Sequence, residues 1–263
     1  MTNIPFFKYQ GAGNDFIIID NRLQTWLTKS DEERIRHLCD RRFGIGADGL
    51  ILLQTKPDYD FEMVYFNSDG RESSMCGNGG RCIVALAKHL NIIAGQCRFL
   101  AIDGEHEALI PSDNWVELKM KNVSGIESGE GYYVLDTGSP HYVIFVEDLD
   151  DIDVVDNGKT IRYSDRFRKE GINVNFVQVV DEGLEVATYE RGVEDETLSC
   201  GTGVTASALA WCLQTPGVPQ REVPVSTKGG QLAVRSYQGE MGNFQDVWLC
   251  GPAVLVFTGV YLD

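Results

Sequence analysis

Apolar residues in this chain fall into short runs, and the spacing of those runs changes from block to block. "GNDFIIID", from Gly13, is a glycine turn feeding an apolar, β-branched run that reads as a buried strand; "GSPHYVIFV", from Gly138, has the same form. "IRHLCDRRFGIGADGLILL", from Ile35, predicts a short amphipathic helix, a Gly-Ile turn and a buried strand. "IRYSDRFRKEGINVNFVQVV", from Ile161, predicts the same three pieces. "FEMVYFN", ending at Asn67, and "LEVATYE", ending at Glu190, read as further strands. Each is followed by a cysteine-glycine loop and a long apolar segment, "IVALAKHL" in one case and "VTASALAW" in the other. The alternating "ALIPSDNWVELKM" (108–120) and "REVPVSTKGGQLAVRS" (221–236) predict later strands, and "QDVWLCGPAVLVFTGVYLD" predicts a strand pair.

Four blocks thus recur in the same order. The separations are nearly constant: Gly13 to Gly138, Ile35 to Ile161, Asn67 to Glu190 and Cys76 to Cys200, each about 125 residues. This pattern predicts a duplicated α/β unit, with the order strand, helix, strand, strand, cysteine loop, long helix, further strands. The expected boundaries are 1–122 for the first domain, completed by a returning C-terminal strand at 253–263, and 123–252 for the second. The Gly- and Ser-rich "KNVSGIESGEG" (121–131) is the expected link.

A length of 263 residues is ample for two buried cores. The formal net charge of −16 argues against a nucleic-acid partner, because phosphate neutralisation needs clustered Lys and Arg, and "DRRFG" at 40–44 is too short for a groove. No apolar stretch approaches the roughly 20 residues of a membrane helix, and the N-terminal residues do not read as a signal peptide, so a cytoplasmic protein is expected. Seven cysteines without regular spacing make a poor disulfide framework and suit reduced thiols. "DGEHE" at 103–107 lacks the spacing of a helical zinc site, so no metal is expected. "GIGADG" (44–49) matches a dinucleotide fingerprint only as a string. A helix-like stretch precedes it and a strand follows, the reverse of what such a site requires.

The chemistry concentrates on two cysteines. In "ESSMCGNGGRC" (72–82) and "ETLSCGTGVTASALAW" (196–211), Cys76 and Cys200 stand at the expected N-termini of the two long helices. Unpaired N–H groups and the positive end of the dipole favour thiolate there, and the same groups cradle an anion. Glycine next to each cysteine lets a ligand approach the backbone. A lone cysteine is usually a buried small hydrophobe, which is the reading taken for Cys39, Cys82, Cys97, Cys212 and Cys250. The matched copies argue differently for Cys76 and Cys200. Two acid/base groups on opposite faces of one carbon, from domains facing each other across a cleft, can invert a stereocentre. One thiolate removes the α-proton, the other thiol returns one, and the helix ends stabilise the developing enolate-like charge.

At "GAGNDF", "FNSDGRESSMCGNGGRC", "INVNFV" and "ERGVEDETLSCGTG" the chain resembles the diaminopimelate epimerases, from about residue 8 to 215. The resemblance implies an α/β fold of two pseudo-symmetric domains, each a curved, mostly antiparallel sheet around a central helix. It implies a cofactor-independent isomerase that interconverts LL- and meso-diaminopimelate, on the route to lysine and peptidoglycan. It implies Cys76 and Cys200 as the acid/base pair, with the N–H groups around Gly77, Asn78, Gly201 and Thr202 on the reacting carboxylate. Asn14 and Asn67, with Asn173 and Arg191, would hold the rest of the substrate, and Glu190 and His141 would lie near the reacting centre. A homodimer is left open.

Three departures stand out. Family members often read Gly-Asn-Pro-His where this chain has "GSPH", which puts the shorter Ser139 in place of a contact. Gly49 stands where some members carry Gln. The stretch from Arg191 to Cys200 is one residue longer than the common form, so a bulge is expected. Two other readings compete. A proline or hydroxyproline racemase of the same architecture tends to have Cys-Gly-His, where this chain has Asn78. A thiol redox protein would want a neighbouring resolving cysteine, which neither motif has. The phenazine-pathway isomerases of this architecture lack the cysteine pair.

Overall fold

A computed structural model describes residues 3–73, 75–215 and 217–262; Ser74, in the first cysteine loop, lies outside them. The chain divides into two compact units, one formed by residues up to Leu118 and those from Gly251 onward, the other by Lys119–Cys250.

The first unit contains β1 (Asn3–Gly11), β2 (Asn14–Asp20), α1 (Glu32–Cys39), β3 (Gly49–Gln54), β4 (Phe61–Asn67), α2 (Gly77–His89), β5 (Gln96–Ala101), β6 (Gly104–Ser112) and β7 (Trp115–Lys119). The second contains β8 (Glu127–Ser128), β9 (Tyr132–Asp136), β10 (Pro140–Val146), α3 (Val154–Arg162), β11 (Asn173–Val180), β12 (Gly183–Glu190), β13 (Asp195–Thr197), α4 (Gly201–Gln214), β14 (Gln220–Thr227), β15 (Gly230–Gln238) and β16 (Phe244–Pro252). The last strand, β17 (Val254–Leu262), pairs antiparallel with β1.

The pairing pattern is the same in both units. In the first, β17/β1 and β1/β2 are antiparallel, β2/β3 parallel, β3/β4 antiparallel, β4/β5 parallel, then β5/β6 and β6/β7 antiparallel. In the second, β8/β9 and β9/β10 are antiparallel, β10/β11 parallel, β11/β12 antiparallel, β12/β14 parallel, then β14/β15 and β15/β16 antiparallel. Parallel neighbours need a crossover, and a helix supplies each one: α1 and α2 in the first unit, α3 and α4 in the second.

One long helix lies at the centre of each unit. The α2 helix contacts β1, β2, β3, β4, β6 and β17; α4 contacts β9, β10, β11, β12, β14 and β15. Strands lie about 4.8 Å apart and a helix is about 10 Å wide, so a flat sheet could not bring so many strands to one helix. The sheet must curl around it. The short helix covers the opposite face. Ile35 and Leu38 of α1 join Ile17, Ile19, Leu50, Leu52, Val64 and Phe66 in one core, while Phe16, Ile51 and Met63 point at Gly79 of α2. With both faces covered, β2, β3 and β4 are apolar at consecutive positions rather than at alternate ones. On the second unit's outer face, α3 packs on Val174, Phe176, Ala187 and Tyr189. The inner-face positions between them, Asn173, Asn175 and Thr188, are buried and polar.

Candidate active site

The two long helices begin alike and unlike the short ones. Cys76 is the N-cap of α2, with φ −91° and ψ 126°, and Cys200 is the N-cap of α4, with φ −112° and ψ 108°. The first helical bonds are Gly80 N–H to the Cys76 carbonyl (2.7 Å) and Val204 N–H to the Cys200 carbonyl (2.8 Å). Gly77, Asn78 and Gly79, like Gly201, Thr202 and Gly203, therefore present N–H groups ahead of the helical ladder. Helices commonly place an acid in this turn, as α1 does with Glu32 and Glu33 and α3 does with Asp156, whose N–H bonds the Asp153 cap. Neither α2 nor α4 has an acid in its first turn. At neither cysteine does a first-turn carboxylate offset the helix dipole.

In the first unit the sulfur of Cys76 lies 3.6 Å from Asn14 Oδ1. The Asn14 amide is held by Asp48, whose Oδ2 accepts from Nδ2 at 2.6 Å, so the oxygen side is the one turned to the thiol. Asp48 is in turn fixed by Arg41, which bonds both Asp48 and Asp15, and Lys8 closes on Asp15 at 2.7 Å. Burial raises the Asp15 carboxyl pKa, but hydrogen bonds from Arg41 and Lys8 outweigh it and hold the group well below the usual carboxylate range. Asn67 ends β4, exposed, directly across from Gly49. A Cβ at Gly49 would lie 2.5 Å from the Tyr65 ring, so this position is filled by packing and presents only backbone. The Asn78 side chain accepts from the fully buried Arg81 at 2.9 Å.

In the second unit Cys200, Thr202, His141, Asn173, Ser139 and Arg191 form one connected network, joined where Asn173 Nδ2 lies 3.5 Å from His141 Nε2. Cys200 Sγ lies 3.5 Å from the Thr202 hydroxyl, which lies 2.9 Å from His141 Nε2. Thr137 bonds the Thr202 carbonyl at 2.8 Å. Asn173 donates to Ser139 Oγ and the Pro140 carbonyl and accepts from the Arg191 N–H, so it ties the Ser139 turn to Arg191. The Arg191 guanidinium bonds the Glu170 carbonyl and Ser139 Oγ, which fixes the plane of its fork. The Glu190 carboxyl is pushed above its ordinary pKa by burial. Between Arg191 and Cys200 the chain turns, with Gly192 and Glu194 at φ of 95° and 60°, and returns as β13 against β12.

Four of the other cysteines are deeply buried thiols. Burial pushes Cys39 and Cys97 up to about 12 and Cys212 up to about 11, and raises Cys82 further. Thiols so disfavoured as thiolates are packing groups.

A family model described as diaminopimelate epimerase matches residues 6–124 and 133–255. The chain belongs to the diaminopimelate epimerase family. It is 52% identical to the diaminopimelate epimerase of Flavobacterium psychrophilum over 255 residues, covering 97% of this chain and 98% of that one. Identity to the diaminopimelate epimerase of Chlorobaculum tepidum is 41% over 257 residues, with 95% and 98% covered. Among solved structures, a phenazine biosynthesis protein of the PhzF family from Bacillus anthracis superposes with a TM-score of 0.81 at 14% identity, covering all of both chains. A probable proline racemase from Agrobacterium radiobacter K84 gives 0.69 at 15% identity, covering 99% of this chain and 93% of that one. At such identities these likenesses show the shared mixed α/β fold alone. Within this family member, sequence reasoning missed the residues behind the site: Asp15, Arg41 and Asp48 behind Asn14, and Thr137, Asn175 and Thr188 behind His141 and Thr202. One signal was present. "NVN" at 173–175 puts two amides on the same face of an otherwise apolar strand.

Proposed function

We propose that this chain interconverts LL- and meso-2,6-diaminopimelate by proton transfer at the α-carbon, with Cys76 and Cys200 as the acid/base pair. The observation that carries this reading is the repeated one. In a chain of this family, two equivalent long helices each start on a cysteine, with Gly-Asn-Gly or Gly-Thr-Gly in the first turn and no acid there. Inversion needs a proton removed from one face of the carbon and another delivered to the opposite face. One thiolate and one thiol fill those roles, and they exchange them when the reaction runs backward.

The N–H groups of Gly77, Asn78, Gly201 and Thr202 hold the reacting carboxylate, where the helix dipoles offset the charge that builds up as the proton leaves. Nothing further is required of a cofactor, because an acid, a base and preorganised dipoles supply each part of the step. Arg191 takes the distal carboxylate through its planar fork, which Ser139 Oγ helps to fix, and Asn14, Asn67 and Asn173 hold the rest of the substrate. Glu190 and His141 serve the reacting end. Diaminopimelate is a precursor of lysine and peptidoglycan, which suits a cytoplasmic enzyme. Exposed Val256, Phe257, Val260 and Leu262 on β17 support a homodimer, to be checked by light scattering.

The decisive experiment is incubation with LL-diaminopimelate in D2O, following loss of the α-proton signal by NMR. Deuterium should enter at the α-carbon as the meso isomer appears. Cys76→Ala and Cys200→Ala should each abolish epimerisation; near-normal turnover by either variant would sink the two-base scheme. Efficient turnover of proline by the wild type would overturn the substrate assignment and leave the thiol chemistry standing.

A further inference from the structure

The duplication provides an internal control. Strand registers align the units: Phe16 pairs with Gly49 as His141 pairs with Asn173, and Ile51 faces Tyr65 as Asn175 faces Thr188. Gly79 and Gly203, each three residues after its cysteine, touch these positions from the helix. A Cβ on Gly79 would meet Ile51, Met63 and Phe16; one on Gly203 would meet Asn175, His141 and Thr188. The same place in the fold is thus filled by Phe, Ile and Tyr in one unit and by His, Asn and Thr in the other. The first unit shows that large aromatic and aliphatic side chains fill this space. The second buries three polar groups there, His141 and Asn175 fully and Thr188 almost so, and a buried polar group is costly when left unpaired. Packing does not call for them.

Their hydrogen bonds have a direction. Asn175 Nδ2 lies 3.2 Å from the Tyr142 carbonyl, which can only accept, and Asn175 Oδ1 accepts from the Thr188 hydroxyl at 2.9 Å. The amide orientation is therefore fixed by its partners. The second Nδ2 proton then points at His141 Nδ1, 3.0 Å away, which must accept it. Burial drives the imidazole down to about 3, against a smaller upward effect of Asp136 and with Arg191 lowering it further, so the ring is neutral. A neutral ring whose Nδ1 accepts carries its single proton on Nε2. Asn173 Nδ2 also lies 3.5 Å from Nε2, but its two protons go to Ser139 Oγ and the Pro140 carbonyl over shorter distances. The Nε2 proton goes to Thr202 Oγ1 at 2.9 Å, and the Thr202 hydroxyl keeps its own proton for the Cys200 sulfur at 3.5 Å.

We propose that Asn175, braced by Thr188, is a positioning residue that locks His141 as the Nε2–H tautomer and so turns the Thr202 hydroxyl proton onto the sulfur of Cys200. The inference rests on the reading of Cys200 as an acid/base group. In the opposite tautomer an Nδ1–H would face the Asn175 amide protons, and Nε2 would draw the Thr202 proton away from sulfur.

The test uses two readouts that need no substrate. In protein with 15N-labelled histidine, long-range 1H–15N spectra at pH 7.5 should show His141, assigned by its loss in His141→Gln, as a neutral Nε2–H ring. A wild-type ring protonated on Nδ1 or on both nitrogens overturns the proposal. Asn175→Asp replaces the amide donor by an acceptor and should move the proton to Nδ1. Alkylation of Cys200 by iodoacetamide at pH 7, measured in a Cys76→Ala background, should then slow by about tenfold, the effect of losing one hydrogen bond to a charged group. Thr202→Val should slow it as much without changing the tautomer, and adding Asn175→Asp to Thr202→Val should slow it no further. A switched tautomer with an unchanged alkylation rate overturns the proposal. Should Asn175→Asp not fold, the wild-type spectrum and Thr202→Val still decide. Turnover surviving in Cys200→Ala would instead remove the functional reading and leave the tautomer result untouched.

Discussion

Gly79 and Gly203 occupy the same place in the two units, yet Ala should be accepted at one and rejected at the other. At Gly79 the added carbon would lie 3.2 Å from Ile51 Cδ1, 3.4 Å from Met63 Cε and 3.4 Å from Phe16 Cε1. Two of these are flexible ends of aliphatic chains, so a shift of a few tenths of an ångström suffices. Ala also gains up to about 1 kcal/mol of helix propensity over Gly, so Gly79→Ala should lie within about 1 kcal/mol of wild type. At Gly203 the added carbon would lie 2.3 Å from Asn175 Oδ1. Ordinary contact would require the amide to retreat by about 1 Å, and it cannot turn without losing bonds to Thr188, Tyr142 and His141. Overpacking costs about 1–3 kcal/mol, and a broken bond in a dry interior adds about 1–3 more. With the propensity gain subtracted, Gly203→Ala should lose about 1–5 kcal/mol. Urea titrations of both variants, compared by midpoint at constant m-value, read the difference. Epimerase activity should fall with Gly203→Ala, because the His141 bond is disturbed, and persist with Gly79→Ala. Equal losses of stability in the two variants, or a neutral Gly203→Ala, would refute the contrast.

Three further outcomes are expected. Asp48→Ala frees the Asn14 amide to rotate, so kcat should drop by about tenfold with folding retained by far-UV circular dichroism; full activity would show that Asn14 orientation is unimportant. Arg191→Lys keeps the charge but loses the planar fork, and should lower kcat/KM for diaminopimelate by roughly 10- to 100-fold; an unchanged value would remove Arg191 from the distal carboxylate. The pKa of His141 is lowered from 6.5 to about 3 by burial, so below pH 6.5 the unfolded chain takes up a proton that the folded chain refuses. This contribution to stability is complete above pH 6.5 and is lost as the pH falls from there toward 3, at about 1.4 kcal/mol per unit, or about 2 kcal/mol by pH 5. Urea midpoints at pH 7.5 and 5.0 should therefore diverge more for wild type than for His141→Gln, and equal slopes would count against a buried neutral ring.

The order of elements is legible in the amino-acid string, because that information is local. Glycine turns, β-branched runs and the change of period from strand to helix are written within a dozen residues, and their recurrence at about 125 residues exposed the duplication. The two cysteine helix starts are legible as well, since a glycine-rich first turn without an acid is visible in the string. Which residues stand behind the site follows only from the folded sheet. Asp48 reaches Asn14 across 34 positions, and Asn175 reaches His141 across 34. These contacts depend on strand register and on parallel crossovers, which bring distant residues side by side and which no local pattern encodes. Gly49 shows the same limit: its position suggested a site residue, while its packing against Tyr65 is a fact of the adjoining strand. The difference between the apolar and the polar inner face also appears only after register has aligned the two units. In the string, Asn175 is one polar letter in an apolar run; in the folded sheet it is the group that sets the direction of a buried hydrogen-bond chain ending at Cys200.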